Sequence, residues 1–321
     1  MKKVVGILYG GKSAEHEISL MSAENVFEAI DKDKFEPVMI KIDKNGRWET
    51  KDFSKFDIIF PILHGPFGED GTVQGLLKLA DIPFVGPGVL GSAAGMDKDV
   101  MKRLLRDAQI PIGKFITVKN HETIPSFEEA KNALGNPVFI KPANMGSSVG
   151  ISKVNNEDEY IAAVKEAFKY DTKIVIEEFI LGRELECAVL GNEEPIASLP
   201  GELITTDDFY SYNAKYSDKS ETILQIPAKL DDAVTKRIQD MAIKVFQALC
   251  CEGLSRVDFF LKDSGELIVN EINTIPGFTK ISMYPKMFEA SGIPYTNLIT
   301  RLIELAIARH ERDAKLRTSV V

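Results

Sequence analysis

Cysteine is scarce in this chain, with 3 in 321 residues. Two of them, Cys250 and Cys251, are adjacent and therefore poor partners for each other, so a disulfide framework is excluded and all three, with Cys187, are expected to be reduced and packed. The 4 histidines, His16, His64, His121 and His310, are scattered, which excludes a sequence-local zinc site of His and Cys. No apolar run approaches the ~18 residues that a membrane-spanning helix needs. The stretch after Met1-Lys2-Lys3 is too short for a signal peptide and reads as a first strand. Basic charge is also in deficit: Lys+Arg 39 against Asp+Glu 48 leaves −9, which argues against nucleic-acid or anionic-membrane partners. A soluble, cytoplasmic protein is expected.

What is present is ordinary in amount. Hydrophobic residues make up 44% and charged residues 27%, the balance of a globular chain. At roughly 150 residues per domain, two or three domains are expected. The chain opens apolar run, helical periodicity, apolar run (residues 3–9, 22–30 and 37–42), then continues with a strand at 57–63, a helix at 73–79 and a short strand at 83–86. Such alternation predicts an open, mostly parallel α/β domain over 1–93. An α+β block is predicted over 94–180, with helices at 96–108, 127–134 and 157–168 and strands at 114–118, 138–141, 151–154 and 173–179. The last domain, 181–321, holds a strand at 184–190, a helix at 232–249, strands at 255–261 and 266–272, and a closing helix from Tyr295. Residues 205–222 are polar and aperiodic, and so long a loop in a compact chain is expected to be a lid.

Two nucleotide motifs are matched and set aside. Gly6 to Ser13 fits the P-loop spacing, but Ile7, Leu8 and Tyr9 carry the strand through the supposed loop and the helix begins too late. Gly86-Pro87-Gly88-Val89-Leu90-Gly91 fits the dinucleotide fingerprint between a strand and a helix. Pro87, however, removes a backbone N–H from the turn, so a structural turn is the better reading.

The chemistry concentrates elsewhere. Residues 255–261 and 266–272 flank Lys262-Asp263-Ser264-Gly265, which is turn chemistry, and predict a hairpin. A two-residue turn at Ser264-Gly265 would set Asp258 opposite Glu271 and Arg256 opposite Asn273. Directly opposed carboxylates repel, so a cation is expected between them, and oxygen ligands alone suit Mg²⁺. The alternative is a surface charge patch closed by Arg256. A second feature favours the metal: Lys141 ends a strand, and Gly146-Ser147-Ser148-Val149-Gly150 leads into another strand. Glycines and hydroxyls there can close around phosphate oxygens while the lysine supplies charge.

These segments carry a family likeness. Together with Gly10-Gly11-Lys12-Ser13-Ala14-Glu15-His16-Glu17, Leu63-His64-Gly65-Pro66-Phe67-Gly68-Glu69-Asp70-Gly71, Met96-Asp97-Lys98, the stretch 209–216 and Asn270-Glu271-Ile272-Asn273-Thr274, they resemble the ATP-grasp superfamily and, within it, the D-alanine–D-alanine ligases. The likeness runs from Gly10 to the last helix. It implies an α/β fold of three domains, the first with an open parallel sheet and the other two clasping ATP. It implies ATP-dependent joining of two D-alanines through an acyl phosphate, in peptidoglycan precursor synthesis, by a cytoplasmic homodimer.

By the same resemblance, Asp258, Glu271 and Asn273 match ligands of two Mg²⁺ or Mn²⁺ ions, and Lys98, Lys141 and Lys215 match phosphate contacts, with Ser148 in the covering loop. Glu177, Ile180 (through its backbone) and Glu184 match adenine and ribose contacts, with Phe179 and Phe259 as apolar walls. Glu15 matches the carboxylate that holds the first D-alanine's ammonium, supported by Ser147 and Tyr216, with His64 nearby. Arg256 and the Gly277 N–H match oxyanion donors, and Ser282 grips the second carboxylate. The sequence departs from the family at Met283, where leucine is expected, and in the less charged Asn144-Met145. Competing readings are a ligase for D-lactate or D-serine, a nucleotide-binding regulatory module, and an oxidoreductase using Gly86 to Gly91.

Overall fold

The computed structural model describes residues 2–204, 223–317, 319 and 320. Its first sheet has the order β2-β1-β3, made of β1 (Lys3–Gly10), β2 (Phe35–Ile42) and β3 (Ile58–Ile62), all parallel. Val5, Ile7 and Leu8 are fully buried, the pattern of a parallel strand covered on both faces. Helix α1 (His16–Ala29) buries Ser19, Ser22, Ala23 and Val26. Because β1 runs to Gly10 and α1 begins only at His16, the P-loop spacing is fortuitous. The expected strand at 83–86 is reduced to one parallel bridge between Ile59 and Phe84. Helix α2 (Thr72–Leu79) packs beside it.

The helix expected at 96–108 is present as α4 (Lys98–Asp107), and another helix, α3 (Val89–Met96), precedes it. Asp97 between them is extended, and its side chain accepts the N–H groups of Asp99 and Val100, so an N-cap starts α4. The second sheet is antiparallel, in the order β4-β7-β5-β6, from β4 (Phe115–Lys119), β5 (Val138–Pro142), β6 (Ser152–Val154) and β7 (Lys173–Glu178). Helices α5 (Phe127–Leu134) and α6 (Glu157–Ala167) cover it. A capping box between Ser126 and Glu129 starts α5.

The third sheet has the order β11-β10-β8-β12-β13, with β9 paired to β8. Its strands are β8 (Arg183–Gly191), β9 (Ile196–Ala197), β10 (Gly201–Ile204), β11 (Ile223–Gln225), β12 (Gly253–Leu261) and β13 (Leu267–Asn273). Helices α7 (Asp232–Ala248), α8 (Met283–Ala290) and α9 (Tyr295–Asp313) complete it. The sequence reading missed β9, β10, β11 and α8. The strands are too short to show a period, and Pro285 in the first turn of α8, where proline is tolerated, reads as a break. Cys187 and Cys251 are buried as expected, but Cys250 is exposed, because it turns the chain after α7 with φ 54.

The β12–β13 hairpin pairs Arg256 with Asn273 and Asp258 with Glu271, the expected partners, but by a different route. Beyond Asp258 the register shifts, so that Phe259 pairs with Val269 and Leu261 with Leu267. The turn is not the two-residue one. Gly265 N donates to Lys262 O at 2.8 Å, Lys262 N donates to Glu266 O at 3.0 Å, and Gly265 is left-handed at φ +81. This is a three-residue loop of the type I plus bulge kind. A second bulge, which leaves Asn270 unpaired, restores the register.

Helix α9 ties the ends of the chain together. Arg309 donates to Gly86 O at 2.5 Å and Phe84 O at 2.7 Å, with its guanidinium 4.6 Å from the Phe84 ring centroid. The glycine turn thus serves docking. Arg309→Met would leave two carbonyls without this donor and is expected to cost about 3 kcal/mol. An unchanged urea midpoint would contradict that role for Arg309.

Candidate active site

Two cavities, of about 380 and 480 Å³, meet along a wall formed by Gly146, Ser147, Glu186, Leu203 and Glu271. The first lies between the second and third sheets and the second between α1, the β3–α2 loop and the β13–α8 loop. Every described site residue expected from the sequence lines one or both. Lys98, Lys141, Ser148, Glu177, Phe179, Ile180, Glu184, Asp258 and Phe259 line the first, whereas Glu15, His64, Arg256, Asn273, Gly277 and Ser282 line the second. Lys215, Tyr216 and the expected lid 205–222 lie outside the described residues.

The first cavity has an apolar slot and a charged end. Phe139 and Phe179 lie with ring centroids 6.1 Å apart, and Lys153 Nζ sits 4.5 Å from the Phe179 centroid. At the charged end Lys141 donates to Glu177 at 2.8 Å, and Lys102 lies 3.3 Å from the same carboxylate. Burial pushes the Glu177 carboxyl up, but Lys102 and Lys141 outweigh it and bring it down to about 2. Lys98 donates to Met145 O at 2.6 Å and lies 3.8 Å from Glu271. It therefore links α4 to the glycine-rich loop and to β13. That loop is rooted by Asn144, whose N and Nδ2 donate to Asp171 at 2.7 and 2.9 Å. Ser147 and Ser148 are both left-handed, at φ 50 and 60, a conformation uncommon outside glycine that recurs at ligand clamps.

At the junction, Ser147 Oγ donates to Glu15 Oε1. Arg256 donates from Nε and Nη2 to Asp258, both at 2.7 Å, and its Nε lies 2.9 Å from Glu186. Burial opposes its charge, but Asp258 and Glu186 hold it further above the ordinary arginine value. Asn273 donates its amide N–H to Asp258 at 2.9 Å, leaving its carbonyl oxygen as an acceptor. Two carboxylates and an amide oxygen, without imidazole or thiolate, form a donor set that fits a hard divalent cation whose shell is completed by phosphate and water. At Gly277 a Cβ would come within 2.8 Å of Ser282 Oγ, so the absence of a side chain is what lets Ser282 pack against that backbone.

His64 and Glu69 line the second cavity. His64 Nδ1 is 3.0 Å from Ile275 O, which only accepts, so Nδ1 carries the proton. Burial lowers this histidine's pKa, favouring the neutral ring. Glu69 accepts from Gly65 N at 2.7 Å and Ile275 N at 3.1 Å, while burial and the nearby Glu15 push its carboxyl up to about 8. Since an unfolded glutamate ionises near 4.5, the folded form holds the extra proton between about pH 4.5 and 8. Stability from Glu69 is therefore complete below that window and is lost as pH rises through it. Glu69→Gln is expected to flatten the fall in unfolding free energy between pH 5 and 8, and an unaltered slope in urea titrations would refute this.

Comparison with known proteins places the whole chain in a family. Residues 104–304 match the model of the D-ala D-ala ligase C-terminus, and residues 4–55 and 49–87 that of the N-terminus. The chain belongs to the D-alanine–D-alanine ligase family. A family relative from Oceanobacillus iheyensis, named D-alanine--D-alanine ligase, is 51% identical, covering 99% of each chain. The D-alanine-D-alanine ligase structure from Coxiella burnetii superposes with a TM-score of 0.89 at 39% identity, covering 98% of this chain and 96% of that one. The Bacillus anthracis ligase complexed with ATP gives 0.83 at 30% identity, covering 97% and 99%. The mixed fold, with a parallel N-terminal sheet and antiparallel sheets behind it, is that of the ATP-grasp ligases.

Three residues of this family member's site were missed in the sequence. Lys102 is one helical turn from Lys98, and that i, i+4 spacing was the available signal. Glu186 is opposite Asp258 on β8 and two residues from Glu184, on the same strand face. Glu69 lay inside a quoted motif without being assigned a role. Among the described residues no helix is long and apolar enough to cross a membrane.

Proposed function

We propose that the protein joins two D-alanines into D-alanyl-D-alanine at the expense of ATP, supplying a peptidoglycan precursor. The observation that carries this reading is the shared wall, because the groups that meet there belong to different tasks. Ser147 and Glu271 face both the nucleotide cavity and the amino-acid cavity, so a carboxylate in one can reach a phosphate in the other.

Glu15, held by Ser147, pairs with the ammonium of the first D-alanine and turns its carboxylate toward the wall. Lys98 and Lys141, with Lys215, hold the phosphate oxygens, and the glycine-rich loop with Ser148 excludes water. Glu177, Ile180 and Glu184 read base and ribose between Phe179 and Phe259. Mg²⁺ or Mn²⁺, as two ions held by Asp258, Glu271 and the Asn273 carbonyl, would neutralise charge during phosphoryl transfer. The first carboxylate takes the γ-phosphoryl group, releasing ADP and leaving an acyl phosphate. Ser282 orients the carboxylate of the second D-alanine, whose deprotonated amine attacks the acyl carbon. Arg256 and the Gly277 N–H are the oxyanion donors, preorganised where charge develops. Collapse expels inorganic phosphate and leaves the peptide bond. Tyr216 closes the first substrate's network with Glu15 and Ser147, and the 205–222 segment acts as the lid.

The division 1–93, 94–180 and 181–321 gives each domain one sheet. Homodimeric assembly and a cytoplasmic location join the reading on family likeness alone. Purified protein with ATP, Mg²⁺ and a pool of D-alanine, L-alanine and D-lactate tests it, by phosphate release and product mass. D-alanyl-D-alanine is expected to dominate near pH 7, and a dominant ester or mixed-hand dipeptide would overturn the reading.

A further inference from the structure

We infer that Lys102 is a positioning residue for nucleotide selection: it is the fixed counter-ion that keeps the Glu177 carboxylate charged in the nucleotide cavity when Lys141 turns to phosphate, so that the site favours a base bearing an exocyclic amino group over one bearing a carbonyl there. This rests on the reading that the first cavity takes ATP with its base near Glu177.

Lys102 is 2% exposed, yet it lines the cavity. Taking an ammonium out of water costs several kcal/mol unless geometry compensates. Its compensation is Glu177 at 3.3 Å and the Phe115 ring at 5.7 Å. Methionine or leucine would fill the same space without that cost, so its charge calls for a role beyond packing.

The two lysines on Glu177 are not equivalent. Lys141 takes Oε2 and Lys102 lies on Oε1. The Lys141 side chain is 12% exposed and lines the same cavity, so it is the lysine of the two with the freedom to turn to an incoming phosphate. Lys102, one turn along α4 from Lys98, is the more deeply buried of the two, with its side chain 2% exposed. When Lys141 moves to phosphate, Lys102 alone stays with the carboxylate. An ionised carboxylate is acceptor-only and has about four lone-pair positions. With Lys102 on one of them, it can still accept from an amino group such as that at C6 of adenine, and it repels the oxygen that guanine carries there. Without Lys102, a buried carboxylate left alone takes up a proton, becomes a donor, and tolerates the carbonyl.

The test reads binding apart from turnover. Dissociation constants for ATP and GTP are measured by calorimetry for the wild type and Lys102→Met, with kcat at saturating ATP and D-alanine alongside. ATP is expected to bind the wild type about a hundredfold more tightly than GTP, in keeping with a polar site that rejects a mispaired base. Lys102→Met should narrow that ratio to less than about tenfold and weaken ATP binding by a larger factor than it lowers kcat at saturation, while Lys102→Arg keeps the ratio. An unchanged ratio in folded Lys102→Met, or a wild type indifferent to the base, would overturn the assignment. If Lys102→Met does not fold, Lys102→Gln is read in its place, and failure of both to fold would make Lys102 a residue of core assembly and overturn it too. A wild type that discriminates the bases but makes no dipeptide would refute the ligase reading and leave this one standing.

Discussion

Glu271→Gln is expected to lower phosphate release by at least about a thousandfold, since loss of a metal ligand forfeits several kcal/mol of charge stabilisation on the transferring group. The fold is expected to survive. Glu271 lies on β13 opposite Asp258, its side chain is 27% exposed, and Lys98 Nζ lies 3.8 Å from it, so an amide of the same shape packs equally well and removes a repulsion. Thermal melting without ligand should be unchanged or slightly raised, while the protection given by ATP with Mg²⁺ is lost. Turnover at the wild-type rate would end the metal assignment.

Arg256→Met has a larger effect on the protein itself. Arg256 is the cation between Asp258 and Glu186, whose side chains are 14% and 6% exposed. Removing one partner of a buried ion pair typically costs about 3–5 kcal/mol, because charge is left without compensation. Turnover is expected to fall by a further factor of about 10² to 10³ through loss of an oxyanion donor. The two losses separate in the double variant Arg256→Met with Glu186→Gln. Removing one of the stranded charges should restore much of the stability and none of the activity. Recovery of activity in that variant would show that Arg256 serves only the fold.

Much of this site was legible because its chemistry is written in residue types at fixed spacings. Arg256, Asp258, Glu271 and Asn273 alternate along two strands, and alternation alone places them on one face. Lys141 and the Gly146–Gly150 loop could be read for the same reason. What stayed hidden depends on burial, which spacing does not report. Lys102 looks like any lysine on a polar helix face until the second sheet closes over it, and Glu69 gains its altered acidity only where the β3–α2 loop meets Ile275. Helix α3 stayed outside the expected ranges because Gly91 and Gly95 dilute the helical signal of 89–96. The two-residue turn was a wrong premise that led to the right partners, since two irregularities in the hairpin cancel by the time the chain reaches Glu271.

That cancellation has a consequence for how the hairpin tolerates change in length. The loop at Lys262–Glu266 and the Asp258–Glu271 and Arg256–Asn273 pairs are separated by a joint at Asn270, where one residue is held out of the ladder. A residue gained or lost at the tip can be absorbed there by making or erasing the joint, before the error reaches Asp258 and Glu271. The hairpin tip is therefore a place where this chain can drift in length, and accept an inserted tag or epitope, without retuning its catalytic centre.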